Sequence, residues 1–170
     1  MTTIVNANLN NPQHAQDLLT LLDDYAKDPM GGGTALPAHS RAGLIAALQA
    51  RSGVHAVLAY CDDRAAGLAI CFEGFSTFAC QALLNIHDFA VHPEFRGRGI
   101  GRRMMEHITE LAQQQQYCKL TLEVLSGNAP ALALYHASGF ANYELGPTQG
   151  GAVMLQKKLT TRAERALISE

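Results

Sequence analysis

The spacing of hydrophobic residues changes along the chain, and each change marks a different kind of secondary structure. After Asn11-Pro12, apolar residues recur at every third or fourth position until Asp28-Pro29, where Pro and the following glycines stop the pattern. This spacing predicts an amphipathic helix with a capping Asn and a Pro in its first turn. From Val54 onward, apolar runs of strand length replace the helical spacing, which indicates a sheet.

The predicted order of elements is that of a mixed sheet with helices on both faces. The elements are a strand at 3–7, helices at 12–27 and 40–51, strands at 54–61, 65–78 and 83–91, a helix at 99–116, a strand at 119–125, a helix at 128–137, and strands at 140–145 and 152–159. A tight turn at Asp62-Asp63-Arg64 joins two strands in an antiparallel hairpin. The order is not a uniform βαβ repeat, so the fold class is α/β (mixed α+β) with a mixed, mostly antiparallel sheet. We expect one domain at 1–160 and a peripheral charged tail at 161–170.

Composition narrows the class of protein. The chain has 170 residues, of which 48% are hydrophobic and 16% charged, so it can bury a substantial core and is not a disordered tail protein. Its formal net charge of -2 gives no global reason to bind nucleic acid or an anionic membrane. No apolar run has the length of a membrane span, and the start has neither a basic segment nor an apolar one. We therefore expect a cytoplasmic protein without nucleic-acid or membrane partners.

The cysteines and histidines carry little functional signal. The four cysteines form no C-x-x-C pair and lie in apolar stretches, which predicts reduced, buried side chains, although a catalytic thiol stays an open alternative. The seven histidines show neither H-E-x-x-H nor a Cys/His cluster with zinc spacing. We therefore predict no metal site.

The strongest chemical signal is a Gly-rich turn between a predicted strand and a long helix. Its sequence is RGRGIGRR, and its members are Arg96, Gly97, Arg98, Gly99, Ile100, Gly101, Arg102 and Arg103. Glycines let successive backbone N–H groups converge on an anion, and the helix start adds partial positive charge. Four arginines at a helix N-terminus are unfavourable for the helix dipole unless an anion is bound. This predicts a diphosphate site, and the alternative is a surface turn whose charges are solvated.

The spacing of the glycines indicates which kind of diphosphate-containing ligand fits the turn. A dinucleotide fingerprint fails because Arg102 or Met104 occupies its third glycine position, and no G-K-[ST] follows for a P-loop. The pattern R/Q-x-x-G-x-G/A does fit, as Arg96-x-x-Gly99-x-Gly101, and it resembles the GNAT acetyltransferase superfamily. The resemblance implies the GNAT fold and an acetyl-CoA pyrophosphate held by residues 96–102.

A second block supports the same resemblance. The stretch NAPALALYHASGF at 128–140 is similar to the family's N-x-x-A-x-x-L-Y-x-x-x-G-F pattern. It implies that Asn128, with Pro130 and Ala131, contacts the cofactor arm, and that Tyr135 protonates the leaving thiolate. Asn128 and Tyr135 are two helical turns apart, so both can face one cleft. The alternative for Tyr135 is an ordinary aromatic packed on the core.

Acetyl transfer to an ammonium needs a base, because the amine must lose a proton before it attacks. The candidates are His87, Asp88 and Glu123 on the two strands that should separate to admit the cofactor, or a water chain. His87 and Asp88 point to opposite faces of a regular strand, so only one of them should line the cleft unless a bulge intervenes. Backbone N–H groups of Phe89, Ala90 and Val91 would hold the oxyanion.

The sequence determines the acceptor molecule less closely than it determines the cofactor. Short stretches around Tyr25 and Asp88 are similar to the diamine acetyltransferase branch, which favours a small cationic amine as the partner molecule. Candidate acceptor-binding residues are Asp28, His87 and Glu123, with Asp24 and Asp88 adding negative charge. Alternatives are a protein, peptide or amino-acid acceptor, or a noncatalytic coenzyme A binding module. We also expect a homodimer, because members of the family often dimerise and the late strands could leave an exposed edge.

Overall fold

A five-stranded sheet flanked by four helices forms the centre of the protein. The computed structural model describes residues 1–144, 148, 150–157 and 159, and the chain divides into two units, Met1–Phe140 and Ala141–Glu170. The elements are β1 (Thr2–Asn6), α1 (Pro12–Lys27), α2 (Ala38–Gln49), β2 (Val54–Cys61), β3 (Arg64–Ser76), β4 (Gln81–Val91), α3 (Ile100–Gln114), β5 (Leu120–Leu122) and α4 (Ala129–Ala137). Two short 3₁₀ turns, Pro29–Gly31 and Pro93–Phe95, precede α2 and α3. All these elements belong to the first unit.

The sheet has the predicted mixed, mostly antiparallel character. Its strand order is β1-β2-β3-β4-β5, with antiparallel neighbours up to β4 and a parallel pair between β4 and β5. The predicted β2–β3 hairpin is confirmed, and its turn residues Asp62 and Asp63 have φ of 49° and 61°. Positive φ at both central positions matches the twist of a two-residue hairpin.

Helices cover both faces of the sheet, as predicted, and each face has its own core. On one face, Leu18, Leu21 and Leu22 of α1 and Leu48 of α2 pack on β2 and β3. On the other face, α3 and the start of α4 pack on alternate residues of the same strands, and Met104 of α3 is fully buried there. The alternation of a β-strand thus sends successive residues to the α1–α2 face and to the α3–α4 face.

The pairing of β4 is interrupted by a bulge. Ile70 of β3 is opposite Asp88, while the next residue, Cys71, is opposite Ile86, so His87 is an extra residue in β4. On the other edge, β4 pairs with β5 only as far as Ile86. Both irregularities fall at the same place, and β4 continues from there to Val91 with its β5-side edge unpaired within the described residues.

The last two predicted strands are wrong over the described residues. In 140–144 and 150–159, where described, the only strand-like contact is an isolated bridge between Glu144 and Gly151, next to a hydrogen bond from the Ala152 N–H to the Tyr143 carbonyl. A ladder needs a partner that continues in register, and Gly150-Gly151 beside the bridge disfavours extended pairing. Leu145 and the tail at 161–170 lie outside the described residues.

Two smaller expectations are also corrected. The strand predicted at 119–125 has only three residues, because β4 stops pairing with it at the bulge. All four cysteines are free, and Cys61 and Cys71 are buried as predicted, but Cys118 is only half-buried and Cys80 is exposed. It lies in the turn between β3 and β4 with φ of 48°, where its side chain has no core to join.

Candidate active site

An opening in the sheet lies between the end of β4 and β5. The last paired residues are Ile86 and Leu122, and beyond them β4 carries Phe89 and Val91 toward the α3–α4 face and Asp88 and Ala90 toward the α1–α2 face. With no strand paired on this edge in the described part of the chain, the backbone groups of Phe89 and Val91 that point away from β3 are accessible to an extended ligand. β4 and β5 therefore separate at this point, as the sequence predicted.

The Gly-rich turn at the end of β4 has the geometry of an anion cradle. Gly97 and Gly99 have φ of 75° and 74°, and no atom lies within 4 Å of where their Cβ atoms would be. Gly99 is the N-cap of α3 and offers no side-chain cap, and the first turn of α3 contains no acidic residue. A Cβ on Gly101 would lie 3.2 Å from Leu134 of α4, so this glycine lets α3 approach the wall of the opening. Positive φ, open space and uncapped N–H groups fit a pyrophosphate.

The arginines of the turn have separate partners. Arg96 donates from Nε to the Val91 carbonyl at 3.0 Å and from Nη2 to Asp28 at 2.8 Å. Arg102 pairs with Glu106 on the same helix. The Arg98 guanidinium lies 5.4 Å from the centre of the Phe95 ring and forms no ion pair with a described residue. Arg98 is therefore free to turn toward a phosphate.

Helix α4 places Tyr135 and Asn128 on the α3–α4 side of the opening. The Asn128 Oδ1 caps the helix by accepting from the Ala131 N–H, and its amide NH₂ makes no hydrogen bond within the described residues. Tyr135 is 8% exposed and packs edge-on against Phe89 of β4. Its hydroxyl has no hydrogen-bond partner in the part of the chain that the structure describes. Burial raises the pKa of Tyr135 to about 12, so the phenol is protonated and can donate.

The bulge in β4 brings both His87 and Asp88 to the α1–α2 side. Asp88 is opposite Ile70, which faces α1, and the exposed His87 ring contacts Phe72 of the same face with a centroid distance of 5.3 Å. The Asp88 carboxylate makes no hydrogen bond or ion pair with any described side chain. Burial raises its pKa, and the neighbouring His87 opposes that shift.

The other two predicted acidic residues are placed differently. Glu123 follows the end of β5 and is exposed, between Leu122 and Val124, which pack against the α3–α4 core. Asp28 does not lie open to solvent. It accepts from Arg96 and caps the 3₁₀ turn through the Met30 N–H, and Arg96 holds the pKa of its carboxyl below the usual range.

Tyr25 of α1 is a site residue that the sequence reasoning did not assign a role. It lines a surface depression together with Leu21 and Asp24 of α1 and with 90–93 and 96 at the end of β4. Burial and the negative charges of Asp88 and Asp28 raise the pKa of Tyr25, and Tyr25 in turn contributes to the raised pKa of Tyr135. The two tyrosines lie on opposite faces of the sheet, and the effect of Tyr25 on the pKa of Tyr135 acts across the opening. The sequence signal that could have pointed to Tyr25 is its place among the buried positions of α1, one turn before Pro29.

The described residues offer neither a metal site nor a membrane-spanning helix. No group of three His, Cys, Asp or Glu side chains among them is arranged to hold a metal ion. None of their helices is long and apolar enough to span a membrane.

A sheet that splits beside a Gly-rich helix start offers an extended, diphosphate-bearing ligand both an open strand edge and an anion site. The family model described as "Acetyltransferase (GNAT) family" matches residues 15–140, and the chain belongs to this family. It is an acetyl-CoA-dependent N-acetyltransferase with the GNAT fold.

Individual relatives show how broad the family is. Thialysine N-epsilon-acetyltransferase of Caenorhabditis elegans is 26% identical over 132 residues, which are 77% of this chain and 79% of that protein. The ribosomal protein bS18 alanine N-acetyltransferase of Salmonella typhimurium is 37% identical over 82 residues, 46% of this chain and 49% of that protein. The crystal structure of a probable acetyltransferase superposes with a TM-score of 0.75 at 21% identity, covering 92% of this chain and 99% of that one.

Proposed function

We propose that the acceptor is a small cationic primary amine and that Asp88 takes its proton. The observation that carries the proposal is the Asp88 carboxylate, which is partly buried, lacks a partner among the described side chains and lies at the opening across from Tyr135. An unpaired carboxylate favours an ammonium ligand, and its raised pKa makes it a better base near neutral pH.

Different residues of the chain would bind acetyl-CoA, accept the proton of the amine and protonate the departing sulfur. Acetyl-CoA supplies the activated thioester, held by the Gly-rich turn and by the free edge of β4. Asp88 accepts one proton from the ammonium, so that the nitrogen can form its bond to the acetyl carbon while the carbon–sulfur bond breaks. Tyr135 donates its hydroxyl proton to the departing sulfur and regains a proton that leaves the acylated nitrogen. On the free edge of β4, the N–H groups of Phe89 and Val91 stabilise negative charge on the acetyl oxygen, whereas the Ala90 N–H points to β3.

The relatives lend unequal support to this acceptor. The thialysine enzyme of Caenorhabditis elegans matches over 77% of this chain, whereas the ribosomal protein enzyme of Salmonella typhimurium matches over 46%. The negative charge of Asp88 at the opening agrees with a small amine acceptor, as named for the thialysine enzyme.

An acceptor screen tests the proposal. Purified protein is incubated with acetyl-CoA and a polyamine, free amino acids including lysine, an aminoglycoside or a peptide with a free N-terminus, and thiol release is followed. We expect the highest kcat/KM with an acceptor that carries a second positive charge near its reactive amine. Preferential acetylation of the peptide would contradict the proposal.

A further inference from the structure

We propose that Arg96 and Asp28 form a positioning pair that fixes the α1–α2 connection against the end of β4, and that neither side chain acts mainly as a ligand of substrate. This inference rests on the proposed acceptor site, because the connection forms one wall of it. The two residues are 68 positions apart in the chain and joined at 2.8 Å.

Asp28 organises the turn that follows α1. Its side chain accepts from Met30, and its backbone carbonyl accepts from the N–H groups of Gly31 and Gly33 at 2.8 and 3.0 Å. The turn is tight: a Cβ on Gly31 would lie 1.9 Å from the Tyr25 carbonyl oxygen. Tyr25 contacts this turn directly, because its hydroxyl lies 3.5 Å from the Met30 carbonyl oxygen, so the turn and this wall of the opening are held together.

Arg96 connects that turn to two parts of the opening. Its Nε holds the carbonyl of Val91, the last residue of β4, and its own backbone begins the Gly-rich turn. Because Asp28 neutralises its charge, Arg96 adds little net field to the anion cradle. Arg98, which has no ion pair with a described residue, is better placed for that purpose.

Loss of the pair should loosen the acceptor wall and leave the anion cradle in place. The expected effect on the acceptor KM is about tenfold, which corresponds to about 1.4 kcal/mol and to one charged hydrogen bond. The affinity for acetyl-CoA should change less than about twofold. Asp28→Asn is the sharper variant, because the Asn oxygen can still cap Met30 and only the charge is lost.

A double-mutant cycle tests the pair, with Asp28→Asn, Arg96→Gln and the combination of both. Steady-state kinetics give the acceptor KM, calorimetry gives the acetyl-CoA Kd, and hydrogen exchange reports on 28–33. We expect both single variants to raise KM and to speed exchange in 28–33, with no further change in the double variant. Glu94→Gln is the matched control: it breaks the 2.6 Å pair with Arg64 at the other 3₁₀ turn, Pro93–Phe95, just before Arg96, and should change neither the acceptor KM nor the exchange of 28–33.

Other results would overturn the positioning role. If Arg96→Gln weakens acetyl-CoA binding about tenfold while Asp28→Asn does not, Arg96 is a cofactor ligand. If the two KM effects multiply in the double variant, Asp28 contacts the acceptor independently. If the wild type uses no small amine, the proposed acceptor fails, but the exchange of 28–33 still decides the pair. Arg96→Lys, which keeps the charge, should recover part of the KM effect and guards against misfolding of the Gln variant.

Discussion

Tyr135 combines a buried ring with a hydroxyl that makes no hydrogen bond to a described residue; the residue is 8% exposed. A tyrosine that served packing alone would need only its ring, which already contacts Phe89 and Phe140. Burial keeps the phenol protonated well above neutral pH, which suits a proton donor.

Replacing Tyr135 with Phe should lower kcat and leave binding of acetyl-CoA nearly unchanged. The change removes one hydroxyl and keeps the ring contacts, so the expected loss is that of a general acid, about 10²–10⁴-fold. Steady-state kinetics and calorimetry check the two parts. Tyr117→Phe is a matched control, because Tyr117 also has a pKa raised to about 12 but bonds Glu73 away from the opening. Wild-type kcat in Tyr135→Phe would end the assignment.

The ionised Asp88 carboxylate should lower the stability of the folded protein and at the same time be needed for activity. Its pKa is raised in the folded protein, so the stability linked to its protonated form is complete below its ordinary value of 3.8 and is lost as pH rises through the folded-state pKa. Asp88→Asn should therefore leave Tm unchanged near pH 3.5 and raise it at pH 7 to 8. The same variant should lose most of its activity. In the activity that is left, kcat/KM should no longer fall on the acid side of the pH profile.

Comparison with the other candidate bases decides the assignment. His87→Gln and Glu123→Gln should keep the acid-side fall of kcat/KM, because both side chains are exposed and only Asp88 is partly buried. If Glu123→Gln abolishes that fall and Asp88→Asn keeps it, Glu123 is the base.

At the scale of elements, the Gly-rich turn depends on two different properties of glycine. Gly99 needs its left-handed φ, and Gly101 needs the absence of a side chain beside Leu134. Gly99→Ala should cost about 1 kcal/mol of stability from the strained backbone and should weaken acetyl-CoA binding measured by calorimetry. Gly139→Ala is the control, since Gly139 has φ of 89° and open space at the end of α4. It should lose similar stability and keep the affinity, and an equal loss of affinity in both variants would contradict the anion cradle.

The sequence predicted these elements well where local signals determine them. Caps and spacing located α1, α3 and α4 to within two residues, and the Asp62-Asp63 turn located the first hairpin. Alternation could not reveal the bulge at His87, because an extra residue in one strand is visible only against its partner. The parity argument therefore separated His87 from Asp88, whereas the fold turns both to one side. The contact between Arg96 and Asp28 likewise depends on how α1 packs against β4 and has no signature in spacing.

At the scale of the whole molecule, the assembly and the location of the protein stay predictions. We expect a homodimer, so light scattering at micromolar concentration should give about twice the chain mass of 18.3 kDa. A single-chain mass over that range would reject the dimer. Acetyltransferase activity should be recovered in the cytoplasmic fraction of cells that produce the protein.

The opening between β4 and β5 also constrains the order of events during turnover. Because it connects the two faces of the sheet, the acetyl donor and the amine can approach from different sides and be present together. Neither has to leave before the other arrives, and we expect a ternary complex without an acetylated form of the enzyme. Each product then leaves by the way its parent entered, so coenzyme A competes with acetyl-CoA and the acetylated amine competes with the amine.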